Sequence, residues 1–90
     1  MALKLYEYFE DYGRMGSLSG LYVMDEQDFE ELKGKFYYGD ELLGKHSEVF
    51  LDFYGNSDVK SDDQEFLGKL VELLGVSVSG ETPFNYDEEG

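Results

Sequence analysis

His46, Ser47 and Glu48 place the three residue types of a hydrolytic triad side by side. Neighbours in an extended segment point to alternating faces, so these three do not converge on one reacting atom. A triad assembled from distant residues would still need His46 as its base, because the chain has one His. Residues 39–46, GDELLGKH, come within one position of the phosphate-binding loop G-x-x-x-x-G-K-[ST]. His46 stands where that loop needs a hydroxyl for magnesium, and Asp40 and Glu41 put negative charge inside it. The segment that follows reads as a strand, whereas phosphate needs the free N–H groups of a helix start. All three departures oppose nucleotide binding, and a glycine-bounded loop explains the same residues. Asn56 to Phe66 carries acids at Asp58, Asp62 and Asp63 but lacks the sixth-position Gly of a calcium loop. With no Cys there is no thiolate metal site. The sequence therefore assigns no catalytic residue, no metal ligand set and no cofactor, and the chain is expected not to be an enzyme.

Charge is the outlying property. The chain holds 21 Asp plus Glu against 7 Lys plus Arg, a formal net of −14, whereas a small domain stays soluble with a magnitude of about 2 to 8. Placement is more informative than number. Asp25, Glu26, Asp28, Glu30 and Glu31 fall within six residue steps, about 9 Å of helix axis. That is near one charge per 1.8 Å, close to the roughly 1.7 Å of duplex DNA. Further acids stand at Asp40 and Glu41, then at Asp58, Asp62, Asp63 and Glu65. Acids in first turns favour helices through the dipole, but one or two per helix suffice. The excess points to a partner-binding acidic surface made of Asp25, Glu26, Asp28, Glu30, Glu31, Asp40, Glu41, Asp62, Asp63 and Glu65. The few scattered cations rule against a direct grip on nucleic acid, whose phosphates this chain repels.

The element best written in the sequence is Ser61 to Gly75, SDDQEFLGKLVELLG. Ser61 and Gln64 have the spacing of a capping box, and Gly75 suits a left-handed stop. Between them Phe66, Leu67, Leu70, Val71, Leu73 and Leu74 make one apolar stripe that needs a partner surface. Residues 2–12, ALKLYEYFEDY, suit either a helix or a strand, and we lean to helix. Residues 14–20, RMGSLSG, read as a linker, and 21–24 as a short strand. Asp25 is a candidate N-cap for a helix near 26–33 that turns Phe29 and Leu32 inward and ends near Gly34. Strands are expected at 35–38, at 48–54, where Val49, Leu51 and Phe53 share one face, and at 76–79. Residues 55–60 read as a polar turn. Residues 81–90 form a partly flexible acidic tail in which Pro83, Phe84 and Tyr86 can dock.

Ninety residues make a single domain, 1–90, with a core supplied largely by eight Tyr and seven Phe. The expected class is α+β: a small, mostly antiparallel sheet covered on one face by the helix at 62–74, with one or two further short helices. No basic-then-apolar leader and no apolar run near eighteen residues is found, and Cys is absent. A cytoplasmic protein without membrane contact is the expectation.

In size, charge, absence of cysteine and acid clusters such as DEQDFEE and SDDQE, the chain resembles the small acidic proteins that phages use against bacterial defences. These are the DNA-mimicking anti-restriction and anti-CRISPR inhibitors. The resemblance is one of character and carries over no functional residue. It implies a mechanism: the protein occupies the groove of a basic nucleic-acid-binding protein, such as a nuclease or a restriction or CRISPR-type effector, and blocks it. For a phage-encoded chain the place would be the host cytoplasm. The alternative from the residues themselves is a small accessory or regulatory module. It would bind through an uncovered sheet face bearing Tyr37, Tyr38, Phe50 and Tyr54, with the acids as a solvated rim. Self-association is compatible with either reading.

Overall fold

The computed structural model describes residues 2–40 and 48–85. Within the first stretch a period of two prevails over the helical lean. β1 (Leu3–Asp11) pairs antiparallel along its whole length with β2 (Ser17–Asp25). The physical reason is the pair Tyr6 and Tyr8: a strand turns both to one face and buries both, whereas a helix would set them about 200° apart. The reversal between the strands is a single 3₁₀ turn at Gly13–Met15. Its left-handed Gly13 and Gly16 lie at φ 68° and 114°. The stretch expected to be a linker is thus half turn and half strand.

β5 (Ser57–Ser61) pairs with the free side of β1, and β6 (Ser77–Gly80) with the free side of β2, giving an antiparallel sheet in the order β5-β1-β2-β6. The polar run at 55–60 therefore supplies most of an edge strand rather than only a turn. Edge position explains its polarity, since few of its side chains are covered. β3 (Tyr37–Asp40) and β4 (Glu48–Leu51) pair with each other in a separate two-stranded sheet, not within the main one. Strand pairing stops at Leu51, where Asp52 takes over: its side chain accepts from the Gly55 N–H at 3.0 Å and its carbonyl from Asn56 Nδ2 at 3.0 Å. The expected alternation holds through that turn, and Val49, Leu51 and Phe53 are all buried.

These three side chains meet the main sheet in the core. Phe53 is its hub, with ring centroids 4.5 Å from Tyr8, 6.1 Å from Tyr22 and 5.7 Å from Tyr37. Register places Tyr6 opposite Tyr22 on the same face, and their rings stack at 5.4 Å. Tyr8 donates to Glu10 Oε1 at 2.7 Å, and the same oxygen accepts the Asp52 N–H at 3.2 Å. Tyr12 donates to the Phe50 carbonyl at 2.9 Å. One carboxylate and two phenols thus fasten the small sheet to the large one. Near the β6 end, a Cβ at Gly20 would run into the Glu81 carbonyl, so only Gly lets β2 and the 80–82 turn approach. Beyond it Thr82 and Pro83 are buried, and Phe84 meets Tyr22 edge-on at 6.4 Å.

The opposite face of the main sheet alternates through Leu3, Leu5, Leu21 and Val23. α2 (Gln64–Leu74) covers it, packing on β1 and β6. The chain enters α2 from the β5 edge and leaves beside β6, where the Val76 carbonyl accepts the Val23 N–H at 2.9 Å. Eleven residues at a rise of about 1.5 Å give roughly 16 Å of helix. Three spacings of about 4.8 Å put the width of a four-stranded sheet near 14 Å. The helix thus crosses the strands and covers one end of the face. Its cap is Asp63, which accepts from the Glu65 and Phe66 N–H groups, rather than Ser61. Gln64 does not close a capping box. Its amide instead clamps the start of β1, accepting from the Leu3 N–H at 2.9 Å and donating to the Leu3 carbonyl at 2.7 Å.

Candidate functional site

α1 (Glu26–Glu30) carries most of the first acid cluster. Asp25 caps it, accepting the Gln27 N–H at 2.8 Å, and the turn that follows ends at Gly34 with φ 80°. The regular helix is shorter than the 26–33 expected. Five residues are too few to stand alone, so side chains must hold it. Phe29 lies between two rings, 4.1 Å from Tyr6 and 5.0 Å from Tyr54, and Leu32 beyond it is buried. At 100° per residue, Glu26 and Glu30 flank Phe29 and are tied down. Glu26 pairs with Lys4 at 3.4 Å, and Glu30 accepts from the Tyr54 phenol at 3.2 Å. Asp28 and Glu31 are exposed, as Glu26 and Glu30 are. Two acids of the cluster thus help to fix the helix while all four present carboxylates to solvent.

The second cluster lies beside the first. The Glu26 N–H donates to the Ala2 carbonyl at 2.8 Å, and the next residue, Leu3, is held by Gln64. Both helix starts thus bracket residues 2 and 3. Asp25, Glu26 and Asp28 stand on one side, and Asp62, Asp63 and Glu65 on the other. Ala2 and residues 25–28 line an open cleft of about 360 Å³ there. Asp25 Oδ2 is buried without a hydrogen-bond partner among the described residues. Glu65 pairs with Lys69 at 3.6 Å across one helical turn, and Lys60 with Glu7 at 3.3 Å. Asp40 sits at the end of β3 opposite Glu48. Glu41, His46, Ser47 and the acids after Asn85 lie outside the described residues, and with them the phosphate-loop and triad patterns. Among the described residues no three His, Asp or Glu side chains are grouped as a metal site.

The tyrosines are tuned by burial. It pushes the Tyr6 phenol up to about 12, helped by the carboxylates of Glu26, Glu30 and Asp25. Tyr12 is likewise pushed up to about 12, first by burial. Tyr8 and Tyr22 are raised by burial as well, and Tyr54 by its bond to Glu30. These phenols stay neutral near pH 7, and those of Tyr8, Tyr12, Tyr22 and Tyr54 donate hydrogen bonds.

The aromatic set named as an alternative interface does not form one exposed face. Tyr37 is buried against Phe53, and Tyr54 is partly buried in the Phe29 stack. Phe50 is exposed at 58 %, and Tyr38 holds the β3 position opposite it. Four of the exposed large apolar side chains fall on α2 and just after it, Phe66 at 48 %, Leu73 at 81 %, Leu74 at 58 % and Val76 at 38 %, while Phe9, Phe36, Val59 and Phe84 are exposed on separate elements. Of the six apolar residues expected to face inward, Leu67 alone is fully buried. On the helical wheel these six span about 160°, wider than the roughly 100° that one covering sheet takes up. Phe66 and Leu73 mark the edge left outside. The signal was present in the sequence as the breadth of the stripe, but it becomes readable only once the covering surface is known.

No family model matches the chain, and no curated protein or solved structure is significantly similar to it.

Proposed function

We propose that this chain is a non-enzymatic acidic binding protein that mimics nucleic-acid charge. It would block the DNA- or RNA-binding groove of a basic protein, in the manner of the anti-defence inhibitors it resembles. One observation carries this reading: two helix starts, each laden with acids, are tied to adjacent residues at the head of β1, α1 to Ala2 and α2 to Leu3. A single end of the molecule thereby gathers Asp25, Glu26, Asp28, Asp62, Asp63 and Glu65, with Glu31 beside them. Clustering like charges this way works against the fold through self-repulsion, which a purely solubilising surface would minimise by dispersing them. Fixed carboxylates on short, capped helices are also pre-organised, as the phosphates of a duplex are. Recognition then resembles a rigid anion array meeting Lys and Arg side chains. Direct interaction with nucleic acid is not part of the proposal, since the same array repels phosphate.

The test is the joint variant Glu26→Gln, Asp28→Asn, Glu30→Gln and Glu31→Gln, compared with neutralisation of Asp87, Glu88 and Glu89. Binding to a basic nucleic-acid-binding partner drops steeply for the first set and little for the second. Equal effects of the two sets would mean that overall charge, not this array, drives association.

A further inference from the structure

We propose that the outer face of α2, formed by Phe66, Leu70, Leu73 and Leu74 and continued by Val76, is a docking surface. Its occupant is an apolar segment of a partner, flanked by Lys or Arg. Leu73 at 81 % and Leu74 at 58 % exposure are the most open large apolar side chains in the described chain, together with Phe50 and Phe9. They are neighbours on a single helix rather than scattered singly, and Phe66, Leu70 and Leu73 repeat at i, i+4 and i+7 on one line. A contiguous apolar stripe of this kind marks an interaction site. Its chemistry also selects the occupant. The helix that bears the stripe has Asp62 and Asp63 at its start and Glu65 and Glu72 along its side, against Lys69 alone. A net-acidic border along one side and one end of an apolar strip complements a basic border beside another. It opposes a second copy of this chain, because two molecules of formal charge −14 would bring like rims together.

The surface rests on the reading of the partner as basic, and it adds to that reading a part of the affinity that salt cannot screen. α2 shares its first turn with the acidic end of the molecule, so one partner can engage both. The carboxylates would steer the encounter and the leucines would hold it, which is the usual division between a charged rim and an apolar centre.

Two synthetic peptides of equal length and equal positive charge separate the two contributions: an amphipathic Leu/Lys helix and a Gly/Lys control. Binding is read by fluorescence anisotropy at low and at high salt. The expected result is that both bind at low salt. The Leu/Lys peptide alone should keep measurable binding at about 1 M salt, where the screening length is near 3 Å. Leu73→Ser should weaken that residual binding by about tenfold or more, the scale set by truncating an apolar anchor, and Phe66→Ser should do likewise. Both positions face solvent, so an unchanged thermal midpoint verifies the fold. If the two peptides bind alike at every salt concentration and the variants change nothing, the docking surface is refuted while the charge reading stands. If the Leu/Lys peptide binds but neither peptide responds to salt, the charge reading fails and the apolar surface stands. If sedimentation equilibrium shows a dimer that Leu73→Ser dissolves, the occupant is a second copy and the proposal is overturned.

Discussion

Replacing Phe29 by Ala should loosen α1 and with it the acids that face solvent. Phe29 is the side chain that sandwiches α1 against the core, at 4.1 Å from Tyr6 and 5.0 Å from Tyr54. Truncating a fully buried Phe costs about 3 to 5 kcal/mol. Phe29 is only partly buried, so about 2 kcal/mol is the appropriate transfer and cavity term. The two ring stacks add roughly 0.5 to 1.5 kcal/mol each. The sum, about 3 to 5 kcal/mol, is a large share of the 5 to 15 kcal/mol typical of a domain. The readout is urea unfolding followed by tyrosine fluorescence, since the chain has eight Tyr and no Trp. At a slope near 1 kcal/mol per M, the midpoint should fall by roughly 3 to 5 M. Phe29→Leu keeps most of the apolar area and loses the stacks, so its midpoint should fall by about 1 to 3 M. Amide exchange at Gln27, whose N–H is bonded to the Asp25 cap, should speed up in the Ala variant. A midpoint change under about 0.5 M for Phe29→Ala, with Gln27 still protected, would show that something other than the aromatic sandwich holds the helix.

Gly68 sits mid-helix in α2 with open space where a Cβ would go. Gly68→Ala should therefore stabilise by about 0.5 to 1 kcal/mol, raising the thermal midpoint by roughly 2 to 8 °C. Gly20→Ala should do the reverse, because the new methyl meets the Glu81 backbone. A loss of about 1 to 3 kcal/mol in chemical denaturation is expected from such overpacking. Raised phenols also set a pH dependence. Tyr6 and Tyr12 hold their protons up to about 12 when folded but release them near 10 when unfolded. Above about pH 10 the unfolded chain binds fewer protons than the native one, so stability is full below that pH and is lost as pH climbs toward 12. Ionisation of Tyr6 and Tyr12, followed by NMR of ring-labelled tyrosine, should appear together with unfolding; either phenolate in a still-folded protein at pH 10.5 would contradict the burial argument.

Some of this architecture was legible in the residues and some was not, for identifiable reasons. The alternation of Val49, Leu51 and Phe53 foretold their burial because period two survives even where strand pairing ends at Leu51. Asp25 foretold a helix start because an Asx side chain bonds locally, independent of what packs nearby. Residues 2–12 suit helix and strand alike, and the lean to helix comes from Leu5, Phe9 and Tyr12, which fit a helical face. The choice is made by long-range pairing with β2, which no local pattern encodes. Gln64 had the spacing of a capping box yet serves Leu3, a residue far away in sequence. That same clamp brings the second acid cluster beside the first, so the positions of individual acids could be read but their convergence could not. The aromatics misled in a similar way: Tyr37 and Tyr54 are spent on the core and on the α1 stack, and four of the exposed large apolar side chains fall on α2 and just after it instead.

The central claim is that the clustered carboxylates stand in for nucleic-acid phosphates, and direct competition on one partner tests it most plainly. A basic protein captured from bacterial lysate would be loaded with labelled DNA or RNA and titrated with this chain at roughly 50 and 200 mM salt. The wild-type protein should displace the nucleic acid fully, with an apparent affinity that falls by at least about tenfold over that salt range. The variant with Glu26, Asp28, Glu30 and Glu31 neutralised should displace little. A partner that holds this protein and its nucleic acid together, with an affinity indifferent to salt and to the four substitutions, would contradict the claim.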